Sequence, residues 1–197
     1  MNYLVVGLGN PGLEYEKTRH NAGRGAIVGW VKRESGVEWE NDTKAKATVA
    51  RFAVGKHAVV ACLPDTFMNK SGSAVAYVAK IRKVKPENAI VVYDDMDLPL
   101  GRLKISFSRG SGGHKGVEST MRALKTPDFT RIRIGVAPTT PSGKIKKPSG
   151  DDKITKFLLG KMSSGDATAL ARAQKKAGEA LDVLLAEGRP KAMNQFN

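Results

Sequence analysis

A chain of 197 residues, 41% of them apolar, can bury one sizeable core and gives no sign of a second domain. Its 33 Lys and Arg against 19 Asp and Glu leave a formal charge of +14, which suits a polyanionic partner such as nucleic acid or an anionic membrane. With Cys62 the only cysteine, an intrachain disulfide is excluded, and no window approaches the roughly 18 apolar residues of a membrane span. The opening MNYLVVGLGN also lacks the basic start and long apolar stretch of a signal peptide, so a soluble, cytoplasmic chain with no membrane association is expected.

In chain order, YLVVGL (3–8) is a continuous apolar run closed by glycine, which predicts a short buried strand. Residues 22–34 place Ile27, Trp30 and Val31 on one face of a helix. Two strand-like runs, KATVARFAV (46–54) and HAVVACL (57–63), flank Gly55-Lys56 as a hairpin turn, with Cys62 as a buried strand thiol. A helix over about 70–83 leads into NAIVVYDDMD, a buried strand ending in acids. RLKISFS (102–108) alternates like an antiparallel strand and is followed by a glycine-rich turn, a helix at about 114–125 and the strand TRIRIGV (130–136). The Pro- and Lys-rich stretch 138–152 predicts a mobile basic loop, and residues 167–185 an amphipathic helix.

This order predicts an α/β fold, in which helices sandwich a twisted mixed sheet, mostly parallel, with residues 1–197 forming one domain. Ligands of such sheets gather at the carboxyl ends of the strands, which would bring together Asn10, residues 63–69 and Asp94-Asp95. The charge is uneven too. Residues 102–161 hold 14 Lys and Arg against 4 Asp and Glu, a net +10 that marks a patch rather than a background.

Gly7, Gly9 and Gly12 match G-x-G-x-x-G behind the first strand. A dinucleotide site needs a helix starting at the third glycine and an acid about 20 residues on, at the tip of a second strand. Pro11, the intervening LEYEKTRHNAG and a tryptophan near residue 30 fit neither requirement. A tight strand-to-loop turn accounts for the glycines equally well.

His20, Asn10, Asn69 and Asp94 each end an apolar run, where a side chain packed on one side can present its head to a cleft. A histidine beside a carboxylate is a general base whose imidazolium the acid stabilises, while amides can hold a carbonyl or oxyanion. No serine sits in a G-x-S-x-G elbow, which leaves water activated by His20. Alternatively Asp94, Asp95 and Asp97 could bind a divalent metal with His20. SRGSGGHKG (108–116) carries Arg109, His114 and Lys115 ahead of a helix, and Arg131 and Arg133 share one strand face; both features suit phosphate.

Together, VVGLGNPGLEYEKTRHNAG, PDTFMNKSG, VVYDDMDLPLG, SGGHKG, RIRIGV, FLLGK and GRPKAMN resemble the bacterial-type peptidyl-tRNA hydrolases over essentially the whole chain. The resemblance implies a cytoplasmic, monomeric enzyme with no metal, other cofactor or obligate protein partner, which cleaves the ester between peptide and tRNA. It implies that His20 is the general base, that Asp94 orients it, and that Asn10 tells a blocked amine from a free one. By the same resemblance, Tyr15, Phe67 and Asn69 match positions that contact the peptidyl-tRNA end, with Met68 lining the same groove. Two positions depart from the family pattern: GGHNG reads Gly112-Gly113-His114-Lys115-Gly116 here, and the lysine that partners Arg133 in a phosphate clamp is Ser106. The Lys115 departure keeps open a non-catalytic RNA-binding relative on the same fold.

Overall fold

The computed structural model describes residues 1–197. Its strands are β1 (Asn2–Gly7), β2 (Glu40–Asp42), β3 (Ala47–Val54), β4 (His57–Pro64), β5 (Ala89–Pro99), β6 (Leu103–Phe107) and β7 (Thr130–Ala137). They form one sheet in the order β2-β3-β4-β1-β5-β7-β6. The central strands β4, β1, β5 and β7 run parallel, and β2, β3 and β6 are antiparallel to their neighbours at the rims. Leu4–Val6 and Ala89–Tyr93 are buried throughout, as expected of inner parallel strands covered on both faces. Val54 pairs with His57, so Gly55-Lys56 is the expected hairpin turn.

The helices are α1 (Ala22–Val31), α2 (Ser71–Ile81), α3 (Lys115–Leu124), α4 (Asp151–Leu159), α5 (Ser164–Glu187) and α6 (Arg189–Phe196). Alternation along the strands divides the core in two. Val5, Ile90, Val92, Ile132 and Ile134 pack with α1, α5 and α6, whereas Leu4, Val6, Val91 and Tyr93 pack with α2 and α3. The expected mixed sheet between helical layers is therefore the fold.

Three elements differ from expectation. The loop foreseen over 138–152 ends at Gly150, because Asp151 and Asp152 form the first turn of α4, where carboxylates favour a helix N-terminus. The last long helix begins earlier, at Ser164, where the Ser163 hydroxyl accepts the Asp166 N–H. A short sixth helix follows Gly188, with Pro190 in its first turn.

Helix α1 sits directly on the end of β1 and on β5 at Val92, where its pairing with β1 stops. The Arg24 N–H donates to the Leu8 carbonyl at 2.9 Å, and a Cβ on Gly23 would lie 2.0 Å from the Val92 carbonyl oxygen. Only glycine allows this approach, and it brings the preceding turn, Arg19–Asn21, against β5 at Asp94. Gly23→Ala should therefore cost about 1–3 kcal/mol or more, because the blocking atoms are backbone. The check is a denaturant melt, in which an unchanged midpoint would contradict the close packing.

Candidate active site

Asp94 lies within the buried part of β5, which runs on through Met96, and is 1% exposed. Its carboxylate is the shared acceptor of two histidines. His20 Nδ1 lies 3.0 and 3.1 Å from the two carboxylate oxygens, and His114 Nε2 lies 3.1 Å from Oδ1. The Val117 N–H donates to His114 Nδ1 at 3.2 Å, which caps α3 and leaves the ring proton on Nε2, facing Asp94. His20 in turn donates from Nδ1, so its Nε2 is free to accept a proton. The start of α3 reaches this position through Gly116, where a Cβ would lie 2.4 Å from Met68 Sδ.

Burial disfavours charge on Asp94, but the two imidazoles outweigh it and hold the carboxyl well below the usual carboxylate range. Burial also disfavours the imidazolium of His20. The charge and hydrogen bond of Asp94 overcome this and raise His20 above 6.5, while Lys115 pulls it down. The depressed Asp94 stabilises the fold above its unfolded pKa of 3.8, a contribution lost as pH falls toward its folded value. The raised His20 stabilises it fully below 6.5, a contribution lost as pH rises through its folded value.

Asn10 is 7% exposed, and its Oδ1 accepts the Met68 N–H at 2.9 Å. That bond orients the amide and leaves Nδ2 as the side chain's remaining polar group. Asn10, His20, Phe67, Met68, Asn69, Asp94, His114 and Lys115 line one cavity of about 520 Å³, with Ile154, Thr155, Leu158 and Leu159 of α4 also on its wall. Arg19 holds α4 in place by donating to the Phe157 carbonyl at 3.2 Å and stacking its guanidinium 4.1 Å from the Phe157 ring centre. The Lys147 ammonium meets Asp97 at 2.8 Å, tying the basic segment to the end of β5.

The expected residues do not all converge. Tyr15 is half-buried and outside the cavity wall. His114 is turned inward onto Asp94 rather than outward with the basic loop. Arg133 lies in a neighbouring cavity of about 480 Å³ with Arg131, Lys104, Ser106 and Arg109. There its Nε donates to Asp95 at 2.6 Å, while Arg131 Nε and NH2 and Ser106 Oγ have no protein partner. The Asp94–Asp95–Asp97 metal alternative is not assembled, because Asp95 is engaged by Arg133 and Asp97 by Lys147. The side chains with converging metal-ligand atoms are His20, Asp94 and His114, within 4.8 Å of one another. Here His20 Nδ1 and His114 Nε2 are each hydrogen-bonded to Asp94.

A family model described as peptidyl-tRNA hydrolase matches residues 4–197. The chain belongs to the peptidyl-tRNA hydrolase family. Among these hydrolases, the one from Idiomarina loihiensis is 37% identical over 194 residues, 98% of this chain and 93% of that protein. The peptidyl-tRNA hydrolase of Vibrio parahaemolyticus is 38% identical over 195 residues, 98% and 94% of the two chains. The crystal structure of the peptidyl-tRNA hydrolase from Acinetobacter baumannii superposes with a TM-score of 0.89 at 32% identity, covering 99% of this chain and 94% of that one. No helix here is long and apolar enough to cross a membrane.

Asp94→Asn removes the charge that sustains the His20 imidazolium while burial remains. The His20 titration followed by NMR should then move to lower pH, and an unmoved midpoint would break the proposed coupling.

Proposed function

We propose that this chain hydrolyses the ester joining a peptide, or an N-blocked amino acid, to tRNA. In the cytoplasm and as a monomer, it would thereby recycle tRNA from prematurely released peptidyl-tRNA. One observation carries this: a hydrogen-bonded His20–Asp94 pair opens onto a cavity in a chain matched nearly end to end by peptidyl-tRNA hydrolases.

On this reading His20 Nε2 takes a proton from water as the water oxygen attacks the ester carbonyl. Asp94 holds the Nδ1–H and stabilises the imidazolium that forms. The tetrahedral intermediate collapses by expelling the ribose oxygen, which receives the proton from His20. The ester is already reactive, so a general base worth about 10²–10⁴ in rate together with positioning suffices without a covalent intermediate. The Nδ2 amide of Asn10 donates to a peptide carbonyl, a partner the free amine of aminoacyl-tRNA does not offer. Phe67, Met68 and Asn69 hold the acyl and nucleotide end, with Tyr15 outside them. His114 contributes by fixing Asp94.

The second cavity shares Tyr93, Asp95, Ser111 and Gly112 with the first and carries Lys104, Arg109, Arg131 and Arg133. Its position and charge support phosphate binding beside the scissile bond, with Lys104 standing in for the absent strand lysine at 106. Lys115 and the proposed mobile arm 138–150, with Lys144, Lys146 and Lys147, extend that field. Binding through phosphates is blind to sequence, as recycling of many tRNAs requires.

Incubation with N-acetyl-aminoacyl-tRNA should release the acyl amino acid, and His20→Ala should slow release by about 10²–10⁴. Equal release by both proteins would remove His20 as base. No release by either would favour the RNA-binding relative. EDTA should leave the rate unchanged, whereas its loss would make His20, Asp94 and His114 a metal site. If Lys115 meets phosphate, Lys115→Asn should reduce the salt slope of tRNA binding by about one, and an unaltered slope would remove that contact.

A further inference from the structure

Asparagine is among the strongest helix N-caps, yet Asn21, at the N-cap of α1, makes no capping bond. Its side chain is spent elsewhere. Asn21 Oδ1 accepts the backbone N–H of Asn10 at 2.9 Å, and Asn21 Nδ2 donates to the Asn10 carbonyl, also at 2.9 Å. Asn21 is 2% exposed, so both bonds are sheltered from water, where an unmade bond is most costly.

These bonds engage both backbone polar groups of Asn10 through one planar amide, and a third, from Met68 N–H to Asn10 Oδ1, fixes the side chain. Residue 10 is thus held at three points, and only its Nδ2 is left for the cavity it lines. Asn21 also follows His20 directly in the 3₁₀ turn Arg19–Asn21. The segment that carries the base is therefore the one that grips the amide.

We infer that Asn21 is a positioning residue: it holds the Asn10 amide in register with His20 and so sets the preference for N-blocked over free aminoacyl-tRNA. The inference rests on the proposed role of Asn10 in reading the blocked amine. Asn21 makes its side-chain hydrogen bonds to Asn10 and none to the His20 ring or Asp94, which separates its effect from that of the base.

The test compares kcat/KM for N-acetyl-aminoacyl-tRNA and for the same aminoacyl-tRNA with a free amine. The wild type, Asn10→Ala, Asn21→Ala and the double variant are assayed, with a pH profile and a melting temperature for each. Asn21→Ala should lower the selectivity ratio roughly tenfold, because misplacing a contact group by a fraction of an ångström erodes its transition-state contact. The pH profile should stay where it is. In the Asn10→Ala background the same substitution should leave the ratio unchanged, since two residues acting as one unit are not additive. Asn21→Asp, nearly isosteric, keeps the acceptor for the Asn10 N–H but sets a carboxylate oxygen against the carbonyl. It should also lower the ratio, and it serves if Asn21→Ala does not fold.

If Asn10→Ala keeps full selectivity, the reading of Asn10 fails and the inference falls with it. If Asn10→Ala loses selectivity while the Asn21 variants only melt earlier, or if the two effects add, the inference alone is overturned.

Discussion

A single carboxylate organises the site. Asp94 is withdrawn from water, a costly place for a charge, and two imidazole N–H donors make it tenable there. Each donor is fixed in return. Asp94 sets the tautomer of His20 so that Nε2 is left to accept, while His114 is held between Asp94 and the first turn of α3. The two rings lie 5.2 Å apart between centres, a spacing maintained by an acceptor both must reach. β5 is bonded to β1 as far as Val92 and to β7 through Asp94 itself, so the carboxylate rides on a backbone anchored just before it on one side and at its own position on the other.

The remaining elements approach that point as closely as their backbones allow. Glycine at 23 lowers α1 onto the end of β1 and onto β5 at Val92, and glycine at 116 lets α3 begin against Met68. Asn10 reaches the same cavity from the loop after β1, clamped by Asn21 and Met68. The floor of the site is thus made of backbone contacts and buried amides, while its cover is attached differently. Helix α4 hangs on Arg19, and the basic segment on the exposed Lys147–Asp97 pair, which salt screens and which contributes little to stability.

Much of this was legible in the chain. Apolar runs closed by glycine or acid gave the inner strands, and the rule that ligands gather at their carboxyl ends pointed to Asn10, Asn69 and Asp94-Asp95, which line one cavity with His20, singled out separately as a polar residue ending an apolar run. His114 was harder to read, because GGHKG looks like a basic turn and the cap of α3 is an imidazole nitrogen rather than the usual hydroxyl or carboxylate. The structural part of Asn21 was hidden for the opposite reason: an asparagine before a helix reads as a cap. Arg19 gave no signal either, since its partners at Phe157 and Asp166 lie about 140 residues away in sequence. Helix α4 was obscured by the prolines and lysines before it, although its two leading aspartates were an N-terminal signal.

The departure at Ser106 shows how a strand period constrains substitution. Side chains two apart on a strand share a face, and a step of two residues spans about 6.6 Å. Lys104 pairs across the ladder with Arg133, and Ser106 with Arg131, so all four occupy the same face of the sheet. Losing a lysine at 106 while having one at 104 therefore shifts a cation along the groove without turning it away, which a lysine at 105 would not achieve. Asp95 neutralises part of Arg133, leaving Lys104, Arg109 and Arg131, which has two unpartnered nitrogens, as the cavity's cations not committed to an acid. On the proposed reading, the cation supplied by β6 has thus moved along that strand, from opposite Arg131 to opposite Arg133, and a bound phosphate would follow it.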